Sequence, residues 1–115
     1  MPNVCEREVI KMPRMIKAFV KHPNQDPYLA PISAELEAMQ ELVGGYVQQI
    51  AINSDLVILC DEEGKLKGKP YNCTFCSHDF VGTLVFVGVR DDDWADCPLS
   101  YGEFRTCFAS LYKEG

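Results

Sequence analysis

Ten residues, Phe80-Val81-Gly82-Thr83-Leu84-Val85-Phe86-Val87-Gly88-Val89, constrain this chain more than any others. Valine, phenylalanine and threonine suit a pleated surface, so the run reads as a strand. Alternation places Val81, Thr83, Val85, Val87 and Val89 on one face and Phe80, Leu84 and Phe86 on the other. Both faces are apolar, and such a strand belongs at the buried centre of a sheet, sandwiched within a layered core. Gly82 and Gly88 mark close packing against a helix backbone or a bulge.

The remaining segments supply the layers. Ile16, Ala18 and Val20 alternate with Lys17, Phe19 and Lys21, a strand pattern that His22-Pro23-Asn24-Gln25-Asp26-Pro27 breaks. Residues 28–32 form a second short strand, which Pro31 confines to a sheet edge because it has no N–H to donate. Leu36, Met39, Leu42, Val43 and Tyr46 recur at spacings of three and four, so residues 34–43 read as an amphipathic helix with Ser33 as its N-cap. Gly44-Gly45 ends that helix. A phosphate cradle fits poorly there, since phosphate-binding glycines precede a helix N-terminus and these follow a C-terminus.

Residues 46–52 and 56–60 read as two strands around Asn53-Ser54-Asp55, the second apolar throughout. Residues 65–69 are expected to run back as a short polar strand ending at Pro70. Ser100-Tyr101-Gly102-Glu103 is a capping box, and Phe104, Cys107, Phe108 and Leu111 then form the buried stripe of a closing helix. The expected fold is therefore α+β: a mixed or mainly antiparallel sheet of about five strands with two helices packed on it. One such domain spans 14–115, after an N-terminal extension at 1–13.

With 115 residues, the chain suffices for one core. Residues 1–21 carry Arg7, Lys11, Arg14, Lys17 and Lys21 against Glu6 and Glu8, five minus two or +3, so a net charge of −6 leaves −9 on the rest. That balance disfavours nucleic acid as a partner, because such binding rests on clustered cations that release counterions. No apolar run reaches the ~18 residues of a membrane span and no signal-peptide pattern opens the chain. A cytoplasmic setting with reduced thiols is the expectation, with no membrane partner.

Leu36, Gln40, Leu42-Val43-Gly44-Gly45-Tyr46-Val47, Asp61-Glu62-Glu63-Gly64-Lys65, Pro70, Asn72, Gly82-Thr83 and Gly88, in that order and spacing, resemble domain-of-unknown-function family 3846. The resemblance covers residues 15–112 and is most specific in the Val-Gly-Gly-Tyr and Glu-Glu-Gly-Lys pieces. It implies a small protein of a bacteriophage, plasmid or other mobile element, and carries over no catalytic residue. Asp61 stands where Asn is common in the family, and Asn72 is followed by an unusual Cys73-Thr74-Phe75-Cys76-Ser77-His78 stretch.

Chemistry-bearing residues fall into three groups. Lys65, Lys67 and Lys69 alternate beside Tyr71 and Asn72, and on a strand they would share one face able to grip phosphates; an exposed hairpin guarded by its lysines is the plainer reading. Asp91, Asp92, Asp93 and Asp96 follow the central strand, with Trp94 among them as a contact anchor or a lid over the core. Cys73, Cys76 and His78 suit zinc only with a fourth ligand from Cys60, Cys97 or His22, and packed cysteines are the plainer reading.

No nucleophile, acid–base pair or metal cage is legible, so a binding protein is expected rather than an enzyme, with no cofactor. Its expected role is to sequester a nucleotide signal or otherwise inhibit host defence, through Lys65, Lys67, Tyr71, Asn72 and Arg90 in a pocket completed across a homo-oligomer interface. Two alternatives stand beside it. One is an acidic module that inhibits a host protein through Asp91, Asp92, Asp93 and Trp94; the other is a small zinc-binding or thiol-dependent protein centred on Cys73, Cys76 and His78.

Overall fold

The computed structural model describes residues 14–75 and 77–113. The extension expected at 1–13 and Cys76 of the proposed thiol pair lie outside the described residues. The strands are β1 (Met15–Lys21), β2 (Tyr28–Ser33), β3 (Val47–Ala51), β4 (Leu56–Asp61), β5 (Tyr71–Phe75), β6 (His78–Val81), β7 (Leu84–Arg90) and β8 (Asp93–Ala95). Helix α1 (Leu36–Val43) follows β2, and α2 (Tyr101–Cys107) with a 3-10 turn at Ala109–Leu111 closes the chain.

The main sheet runs β2-β1-β7-β4-β3, with β8 paired to the far end of β7. Strands β5 and β6 form a separate hairpin, and every pairing is antiparallel. The class is α+β, as expected. The central position belongs to β7, whose residues 84–88 are all buried.

The apolar run at 80–89 is not one strand, however. Gly82 takes φ +72, a left-handed conformation that cannot continue a pleat, so Phe80 and Val81 pair in the second hairpin and only Leu84 onward enters the main sheet. Gly88 is closely approached by a loop and not by the helix backbone expected there: a Cβ would run into the Asp96 carbonyl oxygen.

Each helix covers a different face. Ile16, Ala18, Val57, Leu59, Val85 and Val87 pack with Met39 and Val43 of α1. Opposite them, Phe19, Ile58, Leu84 and Phe86 pack with Phe104 of α2, with Phe80 and Cys73 of the second hairpin, and with Leu111 and Tyr112. The Phe104 ring stacks on Phe19 with centroids 3.9 Å apart and meets Phe86 edge-on at 5.0 Å. Both faces of β7 are thus sealed, which its sequence demanded.

Three local expectations are corrected. Helix α1 begins at Leu36 with Glu35 at the N-cap position, because Ser33 still pairs with Met15 and its hydroxyl only accepts the Glu35 N–H at 3.2 Å. Cys107 is exposed, since Phe104, Phe108 and Leu111 form the stripe and leave it to one side. Residues 65–69 make successive turns instead of a strand: Lys67 N–H reaches Glu63 O, Gly68 N–H reaches Lys65 O, and Gly68 has φ +71. Their lysines therefore share no strand face.

Candidate functional site

Two polar centres are built into this frame, and they differ in how completely they are satisfied. The first gathers the Val-Gly-Gly-Tyr and Glu-Glu-Gly-Lys segments. Asp61 ends β4 with a side chain only 1% exposed, and it accepts from Lys69 Nζ at 2.7 Å, Lys67 Nζ at 2.9 Å and the Glu63 N–H at 2.9 Å. Lys69 also donates to Val43 O and Gly44 O, and Lys67 to Gly44 O. These are the unpaired carbonyls at the negative end of α1, where cations are favoured.

Gly44 supplies the left-handed cap at φ 84, and Gly45 lies so close that any Cβ would strike the Asp61 carboxylate. Burial alone would push the Asp61 carboxyl up, but hydrogen bonds from Lys69, Lys67 and the Glu63 N–H outweigh it and hold the group at about 2. Every partner is matched, so this centre is a structural tie that closes α1 onto β4. Lys67, expected in a ligand pocket, is engaged here.

The second centre is incomplete. Lys21 ends β1 on the same face as Phe19, is 4% exposed, and its Nζ donates to the His22 carbonyl at 3.1 Å. It has no carboxylate ion pair among the described residues. Beside it Asn72, 8% exposed, donates its Nδ2 to Lys21 O at 2.8 Å and to Gly82 O at 2.6 Å, tying β1, the second hairpin and the Gly82 corner together. Two carbonyl acceptors fix the orientation of that amide. Its Oδ1 is then left buried without a donor among the described residues, and the Tyr112 hydroxyl is likewise buried without a partner among them.

Lys21, Asn72, Cys73, Tyr71, Tyr112 and Lys113 line a cavity of about 210 Å3, along with Asn24, Gln25, Ser110 and Leu111. Burial lowers the Lys21 pKa; Cys73 and Asp26 push it back up, and Lys113 lowers it further. Burial likewise raises the Cys73 thiol to about 11, partly offset by Lys21, and raises the Tyr112 hydroxyl. Lys113 is held in place by Asp26 Oδ1, which accepts its N–H at 2.9 Å, and Arg105 lies 4.3 Å over the Tyr112 ring.

The five residues expected to hold a nucleotide do not converge. Tyr71 and Asn72 share the Lys21 cavity, and Tyr71 OH is hydrogen bonded to Thr74 Oγ1. Lys65 lines a different hollow with Gln48, Glu62, His78 and Asp79, and Arg90 lies beside the β7-β8 hairpin. At that hairpin Asp91 and Asp92 are exposed in left-handed conformations, Asp93 is exposed, and Asp96 Oδ1 accepts the Lys17 N–H at 2.8 Å. Trp94 folds back over the α1 face and donates its indole N–H to Gln49 Oε1 at 2.8 Å.

Of the thiol group, Cys73 is in the core and His78 is exposed with its ring 6.0 Å from Phe80. Among the candidate fourth ligands, Cys60 and Cys97 are buried with thiols raised by burial. His22 has both ring nitrogens engaged, by Thr83 Oγ1 at 2.8 Å and Tyr28 OH at 3.0 Å. Among the described residues no three His, Cys, Asp or Glu side chains are grouped to hold a metal.

Sequence reasoning missed Lys21, Lys113 and Tyr112. The one signal for Lys21 was that it shares a strand face with Phe19, a core residue; the other two reach the cavity only through the closing turn.

The family model described as Domain of unknown function (DUF3846) matches residues 16–109, which include Lys21 and Asn72 but not Tyr112 or Lys113. Comparison with curated proteins and with solved structures gave no match.

Proposed function

This chain belongs to the DUF3846 family, and on that premise we propose that it is a non-enzymatic binding protein for a small phosphate-bearing ligand of the nucleotide class, whose anion is held at Lys21 and Lys113 while Asn72 Oδ1 accepts from a ligand hydroxyl or N–H. The observation that carries the reading is Lys21, a residue only 4% exposed at the wall of a cavity, with no carboxylate within ion-pair distance among the described residues. A buried cation without a counter-ion is costly, and an incoming anion relieves that cost.

At about 210 Å3 the cavity is smaller than the roughly 300–1,000 Å3 of whole-ligand pockets. It therefore seats the charged end of the ligand, while the base or sugar lies along the exposed Tyr71 ring. The resemblance to small phage and plasmid proteins makes a nucleotide signal of host defence the ligand of choice, with sequestration in the cytoplasm as the biological act.

Calorimetry against cyclic and ADP-ribose-type nucleotides tests the reading. Binding is expected with the unaltered protein, and Lys21→Met is expected to weaken it by about thirtyfold, the equivalent of ~2 kcal/mol for truncating one partner of a buried charge pair. Methionine keeps the apolar stem in place while removing the charge. No heat from any nucleotide with the unaltered protein would discard the reading.

Binding is also expected to depend on alkaline pH. An anion needs the protonated amine, and burial has lowered the Lys21 pKa below 10.5, so affinity falls as pH rises through that lowered value. The ligand-free fold carries the opposite sign: the unfolded chain binds the proton more tightly, so stability rises over the same window. A titration of affinity carried up to pH 10.5 with no decline would count against Lys21 as the anion's partner.

A second reading rests on the exposed Asp91, Asp92 and Asp93 at the hairpin tip, which present negative charge to a basic host protein. Capture of such a partner that survives the triple change to alanine removes it.

A further inference from the structure

The two outer edges of the main sheet are not equivalent, and the hydrogen-bond pattern shows why. In an antiparallel ladder alternate residues bond inward and outward. On β3, Tyr46 O accepts the Glu62 N–H at 2.7 Å and the Ile52 N–H donates to Leu56 O at 2.9 Å. The register Gln48 to Cys60 and Ile50 to Ile58 continues that parity. Even-numbered residues therefore bond to β4, and Val47, Gln49 and Ala51 turn three N–H and three C=O groups outward.

The same argument applied to β2 gives a different edge. The Ala34 N–H donates to Arg14 O, and Ile32 and Ala30 sit opposite Ile16 and Ala18, so Leu29, Pro31 and Ser33 face outward. Pro31 removes the central donor, a standard protection against edge pairing. Strand β3 has neither proline nor any charged side chain, and no strand pairs with its outer edge among the described residues.

We propose that this edge is the contact surface for a second copy of the chain, with β3 pairing antiparallel to β3 of its mate about a two-fold axis at Gln49. The outward set is symmetric about that residue, so Val47 of one copy faces Ala51 of the other and all six groups find partners. Such a contact is self-complementary, as a two-fold interface requires. The neutrality of Val47-Gln48-Gln49-Ile50-Ala51 lets two chains of net charge −6 meet there without like charges opposed. On the α2 face it sets Ile50, half-buried in one copy, beside Gln48 of the other.

Sedimentation at rising concentration, together with amide hydrogen exchange, tests this on the whole chain. A reversible dimer is expected, with the Val47, Gln49 and Ala51 amides slowing as it forms and the Leu29 and Ser33 amides unchanged. Gln49→Glu keeps an acceptor for the Trp94 indole and leaves the backbone alone, but places two carboxylates opposite each other. It is expected to weaken the dimer by at least about tenfold at neutral pH and low salt, with recovery in acid as the carboxyls protonate. A protein that stays monomeric at millimolar concentration overturns the proposal. So does a dimer in which those three amides exchange freely, or one indifferent to Gln49→Glu.

Discussion

Asp61→Asn is expected to destabilise the fold by about 3 kcal/mol, at the low end of what breaking a buried ion pair costs because Lys67 and Lys69 keep some contact with water. Asparagine preserves the size of the side chain and an oxygen for the Glu63 N–H, so the loss reports the charge. Two ammonium groups then lie against the carbonyl end of α1 with no anion between them. Urea unfolding measures it, and a loss under about 1 kcal/mol would show that the cluster behaves as ordinary surface pairs. The pH dependence has a definite sign. The folded carboxyl titrates near 2 against an ordinary value of 3.8, so the contribution is complete above 3.8 and disappears as pH falls through about 2. The gap between the unaltered protein and the variant is thus expected to close in acid.

Phe104→Ala is expected to cost about 4 kcal/mol, within the range for deleting a fully buried aromatic ring. Its ring lies between Phe19 and Phe86, with Phe108 4.7 Å away, and it is the buried side chain by which α2 itself grips the sheet. The contacts it makes come from β1, β7 and the closing turn, so the cavity left by alanine opens onto three elements that cannot all move inward. Denaturant unfolding should show a lower midpoint with an unchanged slope, since the surface exposed on unfolding barely changes. Phe104→Leu, which keeps most of the volume, is expected to retain more than half of the lost stability; equal losses for the two variants would mean that packing around the ring is not what the site contributes.

The elements that were legible in the chain are those whose cause is local. Strand β4 and residues 84–89 are apolar on both faces, and they lie side by side at the middle of the sheet. Pro31 sits on an edge strand, Gly44 caps α1 with a positive φ, and Ser100 and Glu103 exchange backbone hydrogen bonds at the start of α2. Each rests on a backbone constraint that a residue carries wherever it is placed.

The misreadings have one origin. Lys65, Lys67 and Lys69 alternate as strand residues do, but Asp61 and the carbonyls of Val43 and Gly44 attract two of them and hold the segment in turns. Residues 80–89 look continuous because β-propensity is the same on both sides of Gly82, and only the Gly82 φ and the hydrogen bonds of its carbonyl and N–H, to Asn72 and Pro70, divide them. Residues expected to share a ligand because they lie close in sequence, such as Lys65 and Tyr71, face different hollows once that turn is made.

By itself the order of residues determined the α+β class, the buried strand, the guarded edge, the glycine stop of α1 and the capped start of α2, because these follow from side-chain volume, missing N–H groups and backbone freedom within a few positions. Only the tertiary structure decided which cation is neutralised and which is not. Lys67 and Lys69 find Asp61 within eight residues, whereas Lys21 meets Asn72 and Lys113 across 51 and 92 positions and meets no acid within ion-pair distance among the described residues. Charge–charge energy depends on distance through space and on access to water, and neither quantity is written in the spacing of residues along a chain.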